Sequence, residues 1–314
     1  MSIDPSNTAE EILRIASHDG VDLAVGAHPA DDADAPVALI VHGIASHMGW
    51  YRPMARSLAE RGVSTYTADR RGSGISGGPR GHLPHWKDAI ADIIRIRDEL
   101  ARRHPGRPIV PVGISLGGMF LTAAAILHPD AFSGLVLSAP ALATTVKVPL
   151  IRRLRVFRRS IFEPTHLYDL PFGPKDITDR KDWTATLESD DLRTRAVSAR
   201  FLVEMFAAQR FVKKHIRKLQ LPTYCLLASH DSLINNPRVA QILNRAQSKR
   251  LWIETFEDAP HVLPSVIPRA ALFERVRPWL HATPPDGRRV FTSPIPADES
   301  MRQPRPPVMG KPPQ

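Results

Sequence analysis

The run VALIVH at 37–42 is continuously apolar, and further short β-type runs follow it along the chain with helical patterns between them. A strand that is apolar on both faces must be covered on both. Strands alternating with helices satisfy this as a mostly parallel sheet between two helical layers, so the pattern predicts an α/β fold. The strands are expected at 37–42, 63–68, 108–113, 134–138, 222–228 and 251–256. Ahead of them, EILRIAS and VDLAVGA flank His18-Asp19-Gly20 and read as an antiparallel hairpin. Helices are expected at 51–61, 86–103, 115–128 and 237–246, with a proline-interrupted helical stretch at 262–280. The helix at 86–103 sets Trp86, Ile90, Ile93, Ile96 and Leu100 on one stripe and stops at Pro105-Gly106.

Between 139 and 219 the alternation breaks into a helix-rich, strand-poor insertion, read as a helical cap. The expected organisation is a catalytic domain from 1–138 and 220–282, a basic cap at 139–219, and a disordered tail at 283–314, where nine of 32 residues are proline and no hydrophobic periodicity exists. Within that tail, Pro304 and Pro307 form a Pro-x-x-Pro spacing too short to carry weight.

The net charge of +10 would ordinarily suggest nucleic acid, so its location matters. Residues 147–219 hold 17 basic against 9 acidic residues, whereas 1–146 hold 13 against 15. The excess therefore belongs to the insertion, and no nucleic-acid partner is expected. No apolar run approaches the roughly 20 residues of a membrane span, and the first 20 residues lack a basic and apolar leader, which reads as a cytoplasmic chain. The single cysteine, Cys225, lies in the apolar run TYCLLAS and reads as buried filler.

The sharpest local signal is Gly113-Ile114-Ser115-Leu116-Gly117, at the junction of an apolar strand and an Ala-rich helix. This G-x-S-x-G pattern suits a nucleophile elbow: a tight turn exposes the serine hydroxyl, and glycines on both sides avoid the clash that side chains would make. The turn also directs the Leu116 N–H, at a helix N-terminus, toward a developing oxyanion. A serine needs a base, and the base needs an orienting acid. His261 lies in the loop after the last of these strands, whereas His42, His82, His85, His104 and His128 fall at strand ends or helix flanks. Asp231 follows the strand at 222–228 and gives the chain order Ser115, Asp231, His261; Asp258, three residues before His261, is its rival. The second oxyanion donor is expected from Ile44, in the His42-Gly43-Ile44 turn.

Two other patterns point elsewhere. Gly72-Ser73-Gly74-Ile75-Ser76-Gly77 matches G-x-G-x-x-G, but Gly77-Gly78-Pro79-Arg80-Gly81 breaks the helix a dinucleotide site requires, so no cofactor is expected. The pairs His42 with His47 and His82 with His85 have no third ligand at a recognised spacing, so no metal is expected.

His42-Gly43 with Trp50-Tyr51, the run Asp69-Arg70-Arg71-Gly72-Ser73-Gly74-Ile75-Ser76 continuing to Arg80-Gly81, the elbow, the Asp231 loop and Ala259-Pro260-His261 together resemble the α/β-hydrolase superfamily. More closely, they are similar to its monoacylglycerol lipase/lysophospholipase-like serine hydrolases. Ser73 stands where that family has histidine. The resemblance spans about 11–138 and 220–280. It implies hydrolysis of a carboxylic ester, such as a monoacylglycerol or lysophospholipid, through an acyl-Ser115 intermediate without a cofactor. A thioesterase or acyltransferase would use the same triad, a peptidase the same fold, and a non-catalytic binding protein could retain it.

In the cap, VPLIRRLRVFRRSIF at 148–162 places Leu150, Leu154, Phe157 and Ile161 on one helical stripe and Arg152, Arg155 and Arg159 on another. Two readings stand. The apolar stripe packs on the catalytic domain with the arginines solvated, or the six basic residues from Lys147 to Arg159 meet an anionic membrane while the stripe guides an acyl chain toward Ser115.

Overall fold

The apolar runs become central strands because both of their faces meet a hydrophobic layer. A computed structural model describes residues 11–146, 148–263, 267 and 269–296. The chain runs β1 (Glu11–Ala16), β2 (Asp22–His28), β3 (Val37–Val41), α1 (Arg52–Ala59), β4 (Ser64–Ala68), α2 (Trp86–Arg103), β5 (Ile109–Ile114), α3 (Leu116–Leu127) and β6 (Leu135–Ser138). The inserted stretch supplies α4 (Leu150–Phe162), β7 (Leu167–Asp169), α5 (Pro174–Ile177), α6 (Lys181–Ser189), β8 (Ala196–Ser198) and α7 (Ala199–His215). The sheet then resumes with β9 (Thr223–Ala228), α8 (Asn236–Leu243), β10 (Leu251–Phe256), α9 (Arg269–Leu280) and β11 (Arg288–Ser293).

Nine strands pair in the order β1-β2-β4-β3-β5-β6-β9-β10-β11. Only the pairings of β2, with β1 and β4, are antiparallel. In β3, Val37, Leu39 and Val41 face the layer holding α2 and α3, while Ala38 and Ile40 face α1 and α9. In β9, Cys225 and Leu227 take the first face, and Tyr224, Leu226 and Ala228 the second. This is the period-2 alternation of a strand covered twice. Helix α3 is buried nearly all round, which explains its Ala-rich, unstriped sequence. The stripe expected on α2 is its buried face. The fold is that of an α/β hydrolase, with a helical cap inserted after β6.

Helix α7, at the end of the inserted stretch, packs with α2 and α3: Phe201, Ala208 and Val212 join their core, and the Phe211 ring packs at a tilt of 36° against Trp86 with centroids 4.9 Å apart. A buried Glu204 carboxylate accepts the Trp86 N–H at 3.0 Å, so α7 also caps the start of α2.

Two expectations need correction. Val262 does not start the expected helix: it donates its N–H to the Ile177 carbonyl at 3.0 Å, and the helix is described from Arg269, while 264–266 and 268 lie outside the described residues. The tail is not wholly disordered either. Residues 288–293 form β11, parallel to β10 from Leu251↔Arg288 to Phe256↔Ser293. Backbone pairing needs no hydrophobic periodicity, and RRVFTS carries β-prone residues that proline counting overlooked. Arg289 lies 4.9 Å over the Trp252 ring, and Phe291 meets the same ring edge-on at 5.7 Å. Residues 297–314, including Pro304 and Pro307, and Lys147 in the cap lie outside the described residues.

Ending the chain after Ala282 is therefore expected to lower the melting temperature by a few degrees. Exposing Trp252 and losing Phe291 costs about 1–2 kcal/mol, and a domain of this size loses roughly 2–4 °C per kcal/mol. A thermal melt unchanged by that truncation would mean β11 contributes nothing to stability.

Candidate active site

Ser115 sits between the end of β5 and the start of α3 with φ 51° and ψ −113°, a strained conformation for a residue with a side chain. The turn is fixed by its backbone: the Ser115 N–H donates to the Ser138 carbonyl at 2.9 Å, and the Ser115 carbonyl accepts from Ala141 at 2.9 Å. The flanking glycines are required by close approach. A Cβ on Gly113 would lie 2.5 Å from the Gly118 Cα, and one on Gly117 would strike the Val41 carbonyl oxygen. Leu116 is the first residue of α3, so its N–H has no partner within the helix and points out of the N-terminus.

His261 and Asp231 meet although 30 residues separate them. His261 Nδ1 lies 2.6 Å from Asp231 Oδ2, with the two side chains 5% and 0% exposed. The other Asp231 oxygen accepts the N–H groups of Leu233 at 2.8 Å and Ile234 at 2.9 Å, which holds the carboxylate in place. Asp258 is 87% exposed and faces His230 at 3.5 Å, away from His261. Ser115, His261, Ile44 and Leu116 all line one cavity of about 780 Å³.

The loop after β3 closes over the elbow, since a Cβ on Gly43 would lie 3.3 Å from Ser115 Cβ. His42 is buried beneath it. Its Nδ1 donates to the Gly43 carbonyl at 2.8 Å, while Nε2 accepts the Arg70 N–H at 3.1 Å. Burial, with Arg70 beside it, holds the His42 pKa well below the ordinary histidine value, so the ring is neutral. Four further histidines are engaged elsewhere, and His128, at the end of α3, is exposed. His47 Nε2 meets Asp190 Oδ2 at 2.9 Å, His82 meets Ser198 Oγ at 2.8 Å, His104 meets the Tyr66 hydroxyl at 2.7 Å, and His85 caps α2.

The glycine-rich loop at 72–77 wraps around a carboxylate. Asp69 accepts the N–H groups of Met48 at 2.7 Å and Ile75 at 2.8 Å, and any Cβ on Gly74 would run into that carboxylate. The next helix starts only at Trp86. Cys225 is fully buried, which pushes its thiol pKa up.

The cap roofs the cavity with Leu150, Leu154 and Phe157 of α4 and Leu202 and Phe206 of α7. Helix α4 meets the rest of the protein through Val156 and Ser160, and its apolar stripe is exposed: Leu150 is 67%, Leu154 60% and Phe157 56% accessible. Packing of that stripe on the catalytic domain, one of the two sequence readings, is thus not what the structure contains. Ile151 and Phe162, each 75% accessible, widen the exposed apolar surface.

Sequence reasoning missed the supports of the site. Arg70 lies behind the Gly43-Ile44 loop, and Asp190 ties the cap to that region by accepting from Trp50 Nε1 at 2.6 Å as well as from His47. The Asp-Arg run pointed to the first only as part of a resemblance, and nothing local singles out Asp190.

A family model described as serine aminopeptidase S33 matches residues 32–265. The chain belongs to this family. Proteins similar to this S33 chain include human monoglyceride lipase, 27% identical over 259 residues that span 78% of this chain and 82% of that one. A monoacylglycerol lipase of Mycolicibacterium smegmatis is 35% identical over 105 residues, 33% of this chain and 38% of its own length. The S33 chain also shares its fold with solved structures. A monoacylglycerol lipase of Paleococcus ferrophilus aligns with a TM-score of 0.73 at 23% identity, covering 84% of this chain and 99% of that one. A soluble variant of the Saccharomyces cerevisiae monoglyceride lipase, in complex with a substrate analogue, aligns with a TM-score of 0.76 at 19% identity over 91% of this chain and 99% of its own.

Proposed function

We propose that the protein hydrolyses carboxylic esters of lipid-like amphiphiles, with Ser115 as nucleophile, His261 as general base and then acid, and Asp231 as the group that orients His261. Ile44 and Leu116 supply the oxyanion-hole N–H groups. The observation that carries this reading is the meeting of a strained serine and an aspartate-held histidine on one predominantly apolar cavity. In the reaction, the Ser115 hydroxyl proton passes to His261 as Oγ attacks the ester carbon. The tetrahedral oxyanion is held by the two N–H groups, and its collapse expels the alcohol, which takes the proton from His261. Water, deprotonated by His261, then releases the acid and restores the serine.

The apolar roof of the cavity and the names of the human and mycobacterial relatives support a lipid ester such as a monoacylglycerol. An aminopeptidase must hold a free ammonium group, whereas this cavity is lined by Arg152, Arg153 and Arg210 against a single carboxylate, Asp169. That charge favours an ester over an amino-terminal peptide. A fluorophosphonate probe is expected to label the wild-type protein and to leave Ser115→Ala unlabelled. Equal labelling of both would refute the assignment of the nucleophile.

The exposed face of α4 supports peripheral contact of the cap with an anionic membrane. Arg152, Arg155 and Arg158 are exposed beside the apolar stripe, a combination suited to an interfacial helix. Among the described residues, no helix is long and apolar enough to cross a membrane. Co-sedimentation should be stronger with phosphatidylglycerol vesicles than with phosphatidylcholine vesicles and should weaken as salt is raised. Arg152→Glu/Arg155→Glu/Arg158→Glu should lose that preference. Equal sedimentation of this triple variant and the wild type on anionic vesicles would rule the contact out.

A further inference from the structure

The peptide unit joining Gly43 to Ile44 has its N–H at the Ile44 end, on the loop facing Ser115, and its carbonyl at the Gly43 end. That carbonyl accepts two hydrogen bonds of ordinary length, from His42 Nδ1 at 2.8 Å and from Arg70 Nη2 at 2.9 Å. Arg70 Nη2 also reaches the Ile44 carbonyl at 3.3 Å. In His42 the tautomer is fixed, because Nε2 accepts the Arg70 backbone N–H and the proton must therefore reside on Nδ1.

The Arg70 guanidinium is an uncommon kind of buried cation. The residue is 8% exposed, yet among the described residues no carboxylate forms an ion pair with it, and the neighbouring Asp69 directs its oxygens to the Met48 and Ile75 N–H groups. Its Nε has no hydrogen-bond partner. Burial draws its pKa down to about 10, which still leaves it charged at neutral pH. A buried cation without a contacting anion destabilises a fold, so the position demands another reason for a charge. The nearest carboxylate, Asp69, acts on Arg70 through space without contacting it, and further negative charge appears next to this loop when an oxyanion forms at Ser115.

Resting on the serine-hydrolase reading above, we infer that Arg70 is a positioning residue of the oxyanion hole: with His42 it orients and polarises the Gly43–Ile44 peptide, so that the Ile44 N–H donates more strongly to the oxygen that becomes negative. A charged donor on the carbonyl end strengthens the hydrogen bond made by the N–H end, because linked hydrogen bonds polarise one another. The gain is realised in the transition state, where the oxygen carries charge, and much less in the ground-state ester.

The test compares Arg70→Lys and Arg70→Met with wild type on p-nitrophenyl butyrate, a short soluble ester. It also measures inhibition by phenylboronic acid, whose boron bonds the Ser115 oxygen as the serine proton passes to His261, leaving a tetrahedral anion in the same hole. Arg70→Met is expected to lower kcat about ten- to a hundredfold with KM within about twofold, and to raise the phenylboronic acid Ki by the same factor as kcat falls. Arg70→Lys, which keeps the charge without the planar fork, should fall between. A kcat within about twofold of wild type in Arg70→Met overturns the inference, as does a loss of kcat without a matching change in Ki, which would mark Arg70 as a structural staple alone. Should Arg70→Met not fold, the same comparison of kcat with Ki in Arg70→Lys decides. Ser115→Ala separates the two failures: if it retains activity, the serine-hydrolase reading fails, whatever Arg70 does.

Discussion

Ser115→Ala and His261→Ala are each expected to reduce turnover of p-nitrophenyl butyrate by about a thousandfold or more, a loss of at least roughly 4 kcal/mol of transition-state stabilisation. The two losses should not add, because nucleophile and base act in the same proton transfer and either change removes it. Asp231→Asn belongs to the same experiment. The structure gives Asp231 one oxygen for His261 Nδ1 and the other for the Leu233 and Ile234 N–H groups, so an amide there would both mispair and release the ring to the wrong tautomer. Most of the activity should vanish while the melting temperature moves little. Asp258→Asn, whose carboxylate faces solvent and His230, should leave turnover within about twofold. An inactive Asp258→Asn beside an active Asp231→Asn would reverse the assignment of the acid.

The second large effect is expected from a single methyl group. Gly117→Ala would drive a Cβ into the Val41 carbonyl oxygen and close to the His42 carbonyl, at the contact between α3 and the end of β3. Neither backbone can yield without moving the other, and overpacking of a rigid contact costs about 1–3 kcal/mol or more. The melting temperature should fall by roughly 5 °C or more, and esterase activity should be nearly abolished, because the displaced helix carries both the serine turn and the Leu116 N–H. Gly173→Ala is the matched control. No atom lies within 4 Å of the Cβ it would gain, and its effect should stay within about 0.5 kcal/mol. A Gly117→Ala protein as stable and active as that control would mean the elbow tolerates separation of α3 from β3.

The elbow shows why part of the site was legible before any coordinates. The strand, the tight turn, the glycines and the helix N-terminus at Ser115 are all encoded within about fifteen residues, so local pattern suffices to locate them. The same holds for the sheet order's raw material, since a strand apolar at every position, as Val37–Val41 is, must be covered on both faces. His261 and Asp231 were legible only as loop residues after strands. Their 2.6 Å contact depends on β9 and β10 lying side by side, which places the two loops at one edge.

What sequence by itself determined, then, is what local periodicity and turn chemistry can encode: an α/β sheet interrupted by a basic helical stretch, a serine on a strained turn, and the candidate histidine and aspartates. Tertiary structure alone decided the rest. The tail supplied a strand because the open edge of β10 offered backbone partners that composition does not register. The apolar stripe of α4 was free because the helix docks through Val156 and Ser160, a choice made by the surface of α7 and not by α4 itself. Arg70 came to rest behind the Gly43-Ile44 peptide because β3 and β4 are neighbours in the sheet, so that the loops at their ends are stacked. Pairwise contacts across such distances depend on which surfaces meet, and a one-dimensional pattern records each surface without recording its partner.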